Sequence, residues 1–159
     1  MSYSDKAPFQ SGSDDWATPD SLFEELHKEF AFNLDPCATA TNAKCTHFYS
    51  KEEDGLLQEW SGRVLMNPPY GREIGRWVEK AYRQAQQSCE VVVCLLPSRT
   101  DTKWFHDYVL GNAEIRFIKG RLKFGSATEN APFPCLLAIF RKKKSLEQII
   151  DDLKQQLTA

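Results

Sequence analysis

Arg63-Val64-Leu65-Met66-Asn67-Pro68-Pro69-Tyr70-Gly71 is the stretch on which the reading of this chain turns. Val64, Leu65 and Met66 form a short apolar run of the kind a buried strand makes. Each proline that follows fixes its own φ and lacks an N–H, and Pro68 biases Asn67 toward an extended conformation. The backbone therefore leaves the strand stiff, with carbonyls that no helix claims. The Asn67 side-chain oxygen and the Pro68 carbonyl can both accept hydrogen bonds from one planar amino group, and Tyr70 offers a ring on which a flat heterocycle can stack. Such a corner suits an exocyclic NH₂. A proline-rich loop that merely ends a strand is the plain alternative. From proline usage, the tetrapeptide with plausible substitutions arises by chance in on the order of one chain in a few hundred, so its surroundings have to decide.

Upstream, Phe32-Asn33-Leu34-Asp35 reads as a short strand that runs into Asp35-Pro36-Cys37-Ala38, and residues 39–43 contain no glycine. Asp35 suits either a ligand-facing position or an ordinary turn carboxylate. Before it, Thr18 as N-cap with Pro19 at the first helical position predicts a helix to about residue 30, with Leu22, Phe23, Leu26 and Phe30 on one stripe. Residues 1–15 are polar and expected to form a mobile arm. Residues 45–49 suggest a second short strand, Ser50-Lys51-Glu52-Glu53-Asp54-Gly55 an acidic turn, and Leu56, Leu57 and Trp60 a return to the core.

Downstream, Ile74, Trp77, Val78, Ala81, Tyr82 and Ala85 follow helical spacing, which predicts an amphipathic helix over 73–87. The apolar run 90–96 predicts a strand covered on both faces, followed by the polar loop Pro97-Ser98-Arg99-Thr100-Asp101. Trp104, Phe105, Tyr108 and Val109 suggest a short helix and 113–118 another strand. Lys119-Gly120-Arg121-Leu122-Lys123-Phe124-Gly125 then sets basic residues beside an aromatic, a pattern that suits phosphate and base contacts or a lysine-protected sheet edge. A final strand over 135–140 and the basic cluster 141–144 lead to Ser145 and Gln148. These two make a capping box for a closing helix over 145–159 that carries Leu146, Ile149, Ile150, Leu153 and Leu157.

The 159 residues suit one domain, and 42% hydrophobic with 26% charged residues is the balance of a soluble globular protein. No apolar run has membrane-spanning length and the N-terminus lacks a signal-peptide core, so a cytoplasmic protein with no membrane partner is expected. Five cysteines without paired spacing do not make a disulfide framework, and Cys37, Cys45 and His47 lack the fourth ligand that a zinc site needs, so no metal is expected. Net charge is −2, but it is uneven: residues 1–98 carry 9 Lys and Arg against 15 Asp and Glu, and residues 99–144 carry 10 against 4. The basic excess is either a surface for a polyanion or a scatter of solvated charges.

Asn-Pro-Pro-Tyr at 67–70 resembles the catalytic motif of adenine-specific DNA methyltransferases, and the chain resembles their small phage and prophage Dam-like branch. The order Thr18-Pro19, then Asp35-Pro36-Cys37, then Asn67-Pro68-Pro69-Tyr70 carries the likeness, which covers roughly residues 16–141. The resemblance implies a single-domain α/β, Rossmann-like fold with a mainly parallel sheet and a C-terminal antiparallel hairpin, the domain proper spanning 16–144. It implies S-adenosylmethionine as cofactor, DNA as partner, and methyl transfer to the exocyclic amine of adenine. Asn67, Pro68, Pro69 and Tyr70 would be catalytic. Trp16, Thr18, Pro19, Asp35, Pro36, Cys37, Ala38 and Asp54 would meet the cofactor, and Arg99, Lys119, Arg121, Lys123 and Phe124 the DNA. Adenine in RNA, or a glutamine amide in protein, is the alternative acceptor, and a non-catalytic DNA-binding module is the rival from another class. A homodimer through the closing helix is left open.

Overall fold

In the computed structural model, which describes residues 17–125 and 130–159, the central stretch forms strand β3 (Gly62–Met66), and Val64, Leu65 and Met66 are at most 1% exposed. Burial of that degree requires cover on both faces, and parallel neighbours supply it. On one side lies β1 (Leu34–Asp35), with Leu34 in register with Val64; on the other lies β4 (Cys89–Pro97), with Met66 opposite Cys94. Strand β2 (His47–Phe48) extends the sheet beyond β1, also parallel. Strands β5 (Glu114–Phe117) and β6 (Cys135–Arg141) pair antiparallel, and β6 runs antiparallel beside β4, which gives the order β2-β1-β3-β4-β6-β5. The expected parallel sheet with a closing antiparallel pair is what forms.

Chain direction reverses its march across the sheet between β1 and β3. The carboxyl ends of these two strands therefore lie side by side with a crevice beyond them, the position where open α/β sheets bind ligands. Because β5 points the same way as β4, the loops after β1, β3, β4 and β5 all emerge at one edge.

Helix α1 (Asp20–Phe30) buries Leu26 and Phe30, and α2 (Ile74–Gln87) buries Ile74, Trp77, Val78, Ala81 and Ala85, as their spacing requires. Residues 105–109, expected as a short helix, form one π-helical turn, Phe105–Val109. Two local expectations are corrected. Helix α1 begins at Asp20 with Pro19 in the cap position and no side-chain cap bond, so Thr18 stands one residue before the cap, where its hydroxyl accepts from Asn67. Leu57 does not join the core but is 76% exposed, whereas Trp60 is fully buried; the turn that holds the Trp60 indole rotates Leu57 outward.

The closing helix α3 (Leu146–Thr158) has the predicted capping box. The Ser145 Oγ accepts from the Gln148 N–H at 3.2 Å, and the Ser145 N–H donates to Gln148 Oε1 at 2.8 Å. None of its residues is buried, and its apolar stripe faces outward. Among the described residues no helix is long and apolar enough to cross a membrane.

Candidate active site

The corner after β3 is held by three different kinds of constraint. Its prolines limit the backbone directly. The Tyr70 hydroxyl donates to Leu95 O at 3.0 Å; β3 stops opposite Cys94, so this bond ties the corner to the next residue of β4. Asn67 Nδ2 donates to Thr18 Oγ1 at 3.2 Å. That bond sets the plane of the amide, with Nδ2 toward Thr18 and Oδ1 on its other arm. Thr18, expected as a helix cap, is 6% exposed and instead orients Asn67.

Tyr70 is 4% exposed and packed edge-on by Phe124 at 6.1 Å and Phe133 at 5.6 Å between centroids. Phe124 is 1% exposed, so it backs Tyr70 and does not present an open face to solvent. Burial raises the Tyr70 phenol well above its ordinary range, so it stays a neutral hydrogen-bond donor.

Asp35, at the end of β1, is 6% exposed. Its carboxylate accepts from two backbone N–H groups, Cys37 at 3.4 Å and Lys44 at 3.2 Å. Burial outweighs both bonds and raises its carboxyl to about 6. A desolvated carboxylate held mainly by amides, on which the Lys44 charge is the smallest of the influences, is a favourable place for a positively charged ligand. The Lys44 ammonium, in spite of its nearness, pairs with Asp20. The loop that follows closes without glycine: Thr39 N–H donates to Asn42 Oδ1 at 2.7 Å and Ala43 N–H to Thr39 O at 3.0 Å. No residue in it has a positive φ.

One cavity of about 380 Å³ joins the two strand ends, a size that suits a small-molecule cofactor. Of the residues singled out in the sequence, Thr18, Asp35, Pro36, Cys37, Ala38, Asp54 and the four residues 67–70 line it; Pro19 does not, and Trp16 lies outside the described residues. Tyr49, Lys51, Gly55, Leu56 and Trp77 also line it. Trp77 was legible only as a core residue of α2, and Gly55 carried a signal, the Asp-Gly turn dipeptide, that pointed to a turn and not to a wall.

Arg99, Lys119, Arg121 and Lys123 are exposed and belong to loops that emerge at the same edge as the cavity. The rest of the basic stretch is elsewhere. Arg116 binds Glu29 with two bonds of 2.7 and 2.8 Å and Glu114 with a third, and Arg141 binds Glu114. Residues 142–144 follow the far end of β6, across the sheet from the cavity. The basic excess is therefore divided between the two edges.

Comparisons with known proteins bear on the family of the chain. Residues 6–156 match the family described as DNA N-6-adenine-methyltransferase (Dam). Over 143 residues the chain is 34% identical to the DNA N-6-adenine-methyltransferase of Haemophilus phage HP1 (strain HP1c1), covering 84% of this chain and 82% of that protein. A solved structure, the 23S rRNA methyltransferase ErmE, overlaps 80% of this chain at a TM-score of 0.42 and 13% identity, and the chain spans about half (51%) of its length. The family match over nearly the whole length, together with the phage relative, places the chain in the Dam family of DNA N-6-adenine methyltransferases, enzymes that use S-adenosylmethionine to methylate adenine in DNA.

Proposed function

We propose that the cavity between β1 and β3 holds both reactants, with the cofactor against the Asp35 loop and the target adenine at the Asn67 corner. The observation that carries this reading is the continuity of that cavity from Asp35 to Tyr70. S-adenosylmethionine supplies a methyl group on a sulfonium centre. Asp35, a buried carboxylate, suits the cationic part of such a ligand, and Asp54, on the opposite wall, suits its ribose or adenine hydrogen-bond donors. Pro36, Cys37 and Ala38 line the space between them, the Cys37 thiol kept neutral by burial.

An adenine amine is a weak nucleophile because its lone pair is delocalised into the ring. Asn67 Oδ1 and the Pro68 carbonyl accept its two hydrogens, which localises the lone pair and stabilises the charge that develops as the amine attacks. The rigid corner would hold this amine toward the bound cofactor's methyl group. As the N–C bond formed, the S–C bond would break to leave a neutral thioether and the nitrogen would release one proton to solvent, with proximity supplying much of the acceleration. Tyr70 forms a wall of the base pocket, and Pro69 shapes the turn. The base has to leave the duplex to arrive there, at a cost of a few kcal/mol. Arg99, Lys119, Arg121 and Lys123 hold the phosphates of the opened strand.

Counting methyl groups from labelled cofactor on DNA, RNA and protein acceptors tests this assignment. The label is expected in DNA alone, and to be recovered as N6-methyladenine after hydrolysis. Comparable incorporation into RNA or protein would overturn the choice of acceptor.

A further inference from the structure

The loop after β1 has no glycine through which another backbone could approach it closely, yet such an approach is made from the facing wall. Gly55 is buried, and a Cβ built on it would stand 2.1 Å from Pro36 O, 3.2 Å from Pro36 C and 3.1 Å from a ring carbon of Trp77. Backbone at 2.1 Å cannot be displaced as a flexible side chain can, so only hydrogen fits between the two walls. The contact is also locked from behind. The Gly55 carbonyl accepts the Trp60 indole N–H at 2.8 Å, and Trp60, fully buried, stacks on Trp77 with centroids 6.2 Å apart. The preceding residue, Asp54, is held at φ 51, a conformation that non-glycine residues seldom adopt, and its Oδ1 accepts the Leu56 N–H at 3.0 Å. At the start of the same wall, the Tyr49 N–H donates to Asp35 O at 3.0 Å and the Ala38 N–H to Tyr49 O at 3.1 Å. The 49–56 segment is thus fastened to the β1 loop at both ends, by hydrogen bonds at Tyr49 and by direct contact at Gly55.

We infer that Gly55 is a positioning residue for cofactor binding, setting from the opposite wall the spacing between Asp35 and Asp54. The inference rests on the proposed location of the cofactor in this cavity. Asp35 and Pro36 are adjacent, as are Asp54 and Gly55, so a wedge between Pro36 and Gly55 separates the two carboxylates. A cofactor that reaches across both then loses one of them. The turn at Asn67 is left in place, so the loss falls on binding and not on the chemical step.

Calorimetry and steady-state kinetics with S-adenosylmethionine on the full chain test this. Gly55→Ala is expected to raise the cofactor Kd by at least about tenfold, equivalent to about 1.4 kcal/mol, and to raise KM for the cofactor with a much smaller change in kcat. A purely structural glycine would lower the melting temperature of the free protein and leave Kd where it was, and that outcome overturns the inference. Asp35→Ala separates the two premises: if it weakens binding while Gly55→Ala does not, the role of Gly55 is wrong; if neither changes Kd, the cofactor lies elsewhere and both readings fall. Should Gly55→Ala not fold, amide hydrogen exchange on the wild-type protein decides. Gly55 and Leu56 are expected to exchange at least about tenfold more slowly when cofactor is added, and unchanged rates reject the inference.

Discussion

The corner after β3 and the loop after β1 end neighbouring strands and face the same cavity, yet they are made rigid in different ways. The corner is stiff because of its covalent structure: two prolines restrict the backbone before any tertiary contact is made. The loop after β1 has one proline and no glycine in residues 39–43. Its shape is borrowed from partners, namely the Asp35 carboxylate, the Asn42 side chain, Tyr49 and Gly55. In the proposed arrangement, the catalytic acceptor that has to be preorganised is placed on the self-sufficient turn. The cofactor site proposed at the loop after β1, which has to be entered and left, can be assembled from pieces.

The largest effect is expected at the self-sufficient end. Asn67→Ala should leave far-ultraviolet circular dichroism unchanged, because the prolines and the Tyr70 bond to Leu95 remain, while methylation falls at least about a hundredfold, the scale for removing one oriented polar stabiliser. Near-normal turnover in that variant would abolish the distinction, since the corner would then be only a turn.

The assembled loop is probed through pH. Burial raises the Asp35 carboxyl to about 6 in the fold, so between roughly pH 4 and 6 the folded protein retains a proton that the unfolded chain has released. Stability contributed by this group is therefore complete below about pH 4 and is lost as pH rises through 6, by up to about 3 kcal/mol. In denaturant titrations, Asp35→Asn should remove this slope, gaining on the wild type as pH rises. Parallel curves for the two proteins would show that Asp35 is not held as described. Cofactor affinity should run the other way and weaken as pH falls through 6, because a cationic ligand favours the ionised carboxylate.

The smallest effect concerns the link between the N-terminal segment and the corner. Thr18→Val removes the hydroxyl that accepts the Asn67 Nδ2–H, a bond of about 1 kcal/mol. Turnover should drop by about fivefold, with Thr18→Ser restoring most of it. If Thr18→Val has wild-type kcat, Asn67 is oriented by the prolines alone and the corner is still more self-sufficient than proposed.

Much of the fold was legible because its signals are local. The helical spacing from Ile74 to Ala85, the apolar run of β4 and the Ser145–Gln148 capping box each describe an interaction within a few residues, and each element formed within a residue or two of its expected limits. Thr18 was misread for the same reason. The local pattern Thr-Pro before a helix is a good cap signal, and a partner 49 residues away along the chain, Asn67, outcompeted it. Phe124 was singled out beside basic residues as a ring for a base, but its neighbours in sequence do not reveal that Tyr70 and Phe133 enclose it.

The amino-acid sequence by itself determined the stiff acceptor corner, the alternation of strands and helices, and the acidic end of β1, because proline geometry, residue periodicity and turn chemistry act within a few bonds. Only the tertiary structure decided that Asp35 and Asn67 open on one cavity, that Thr18 turns the Asn67 amide, and that Gly55 meets Pro36 with nothing but hydrogen between them. Those outcomes depend on strand order and on which distant groups compete for the same bond. Such competition is settled when the sheet assembles and buries its polar groups, and no short stretch of chain records it.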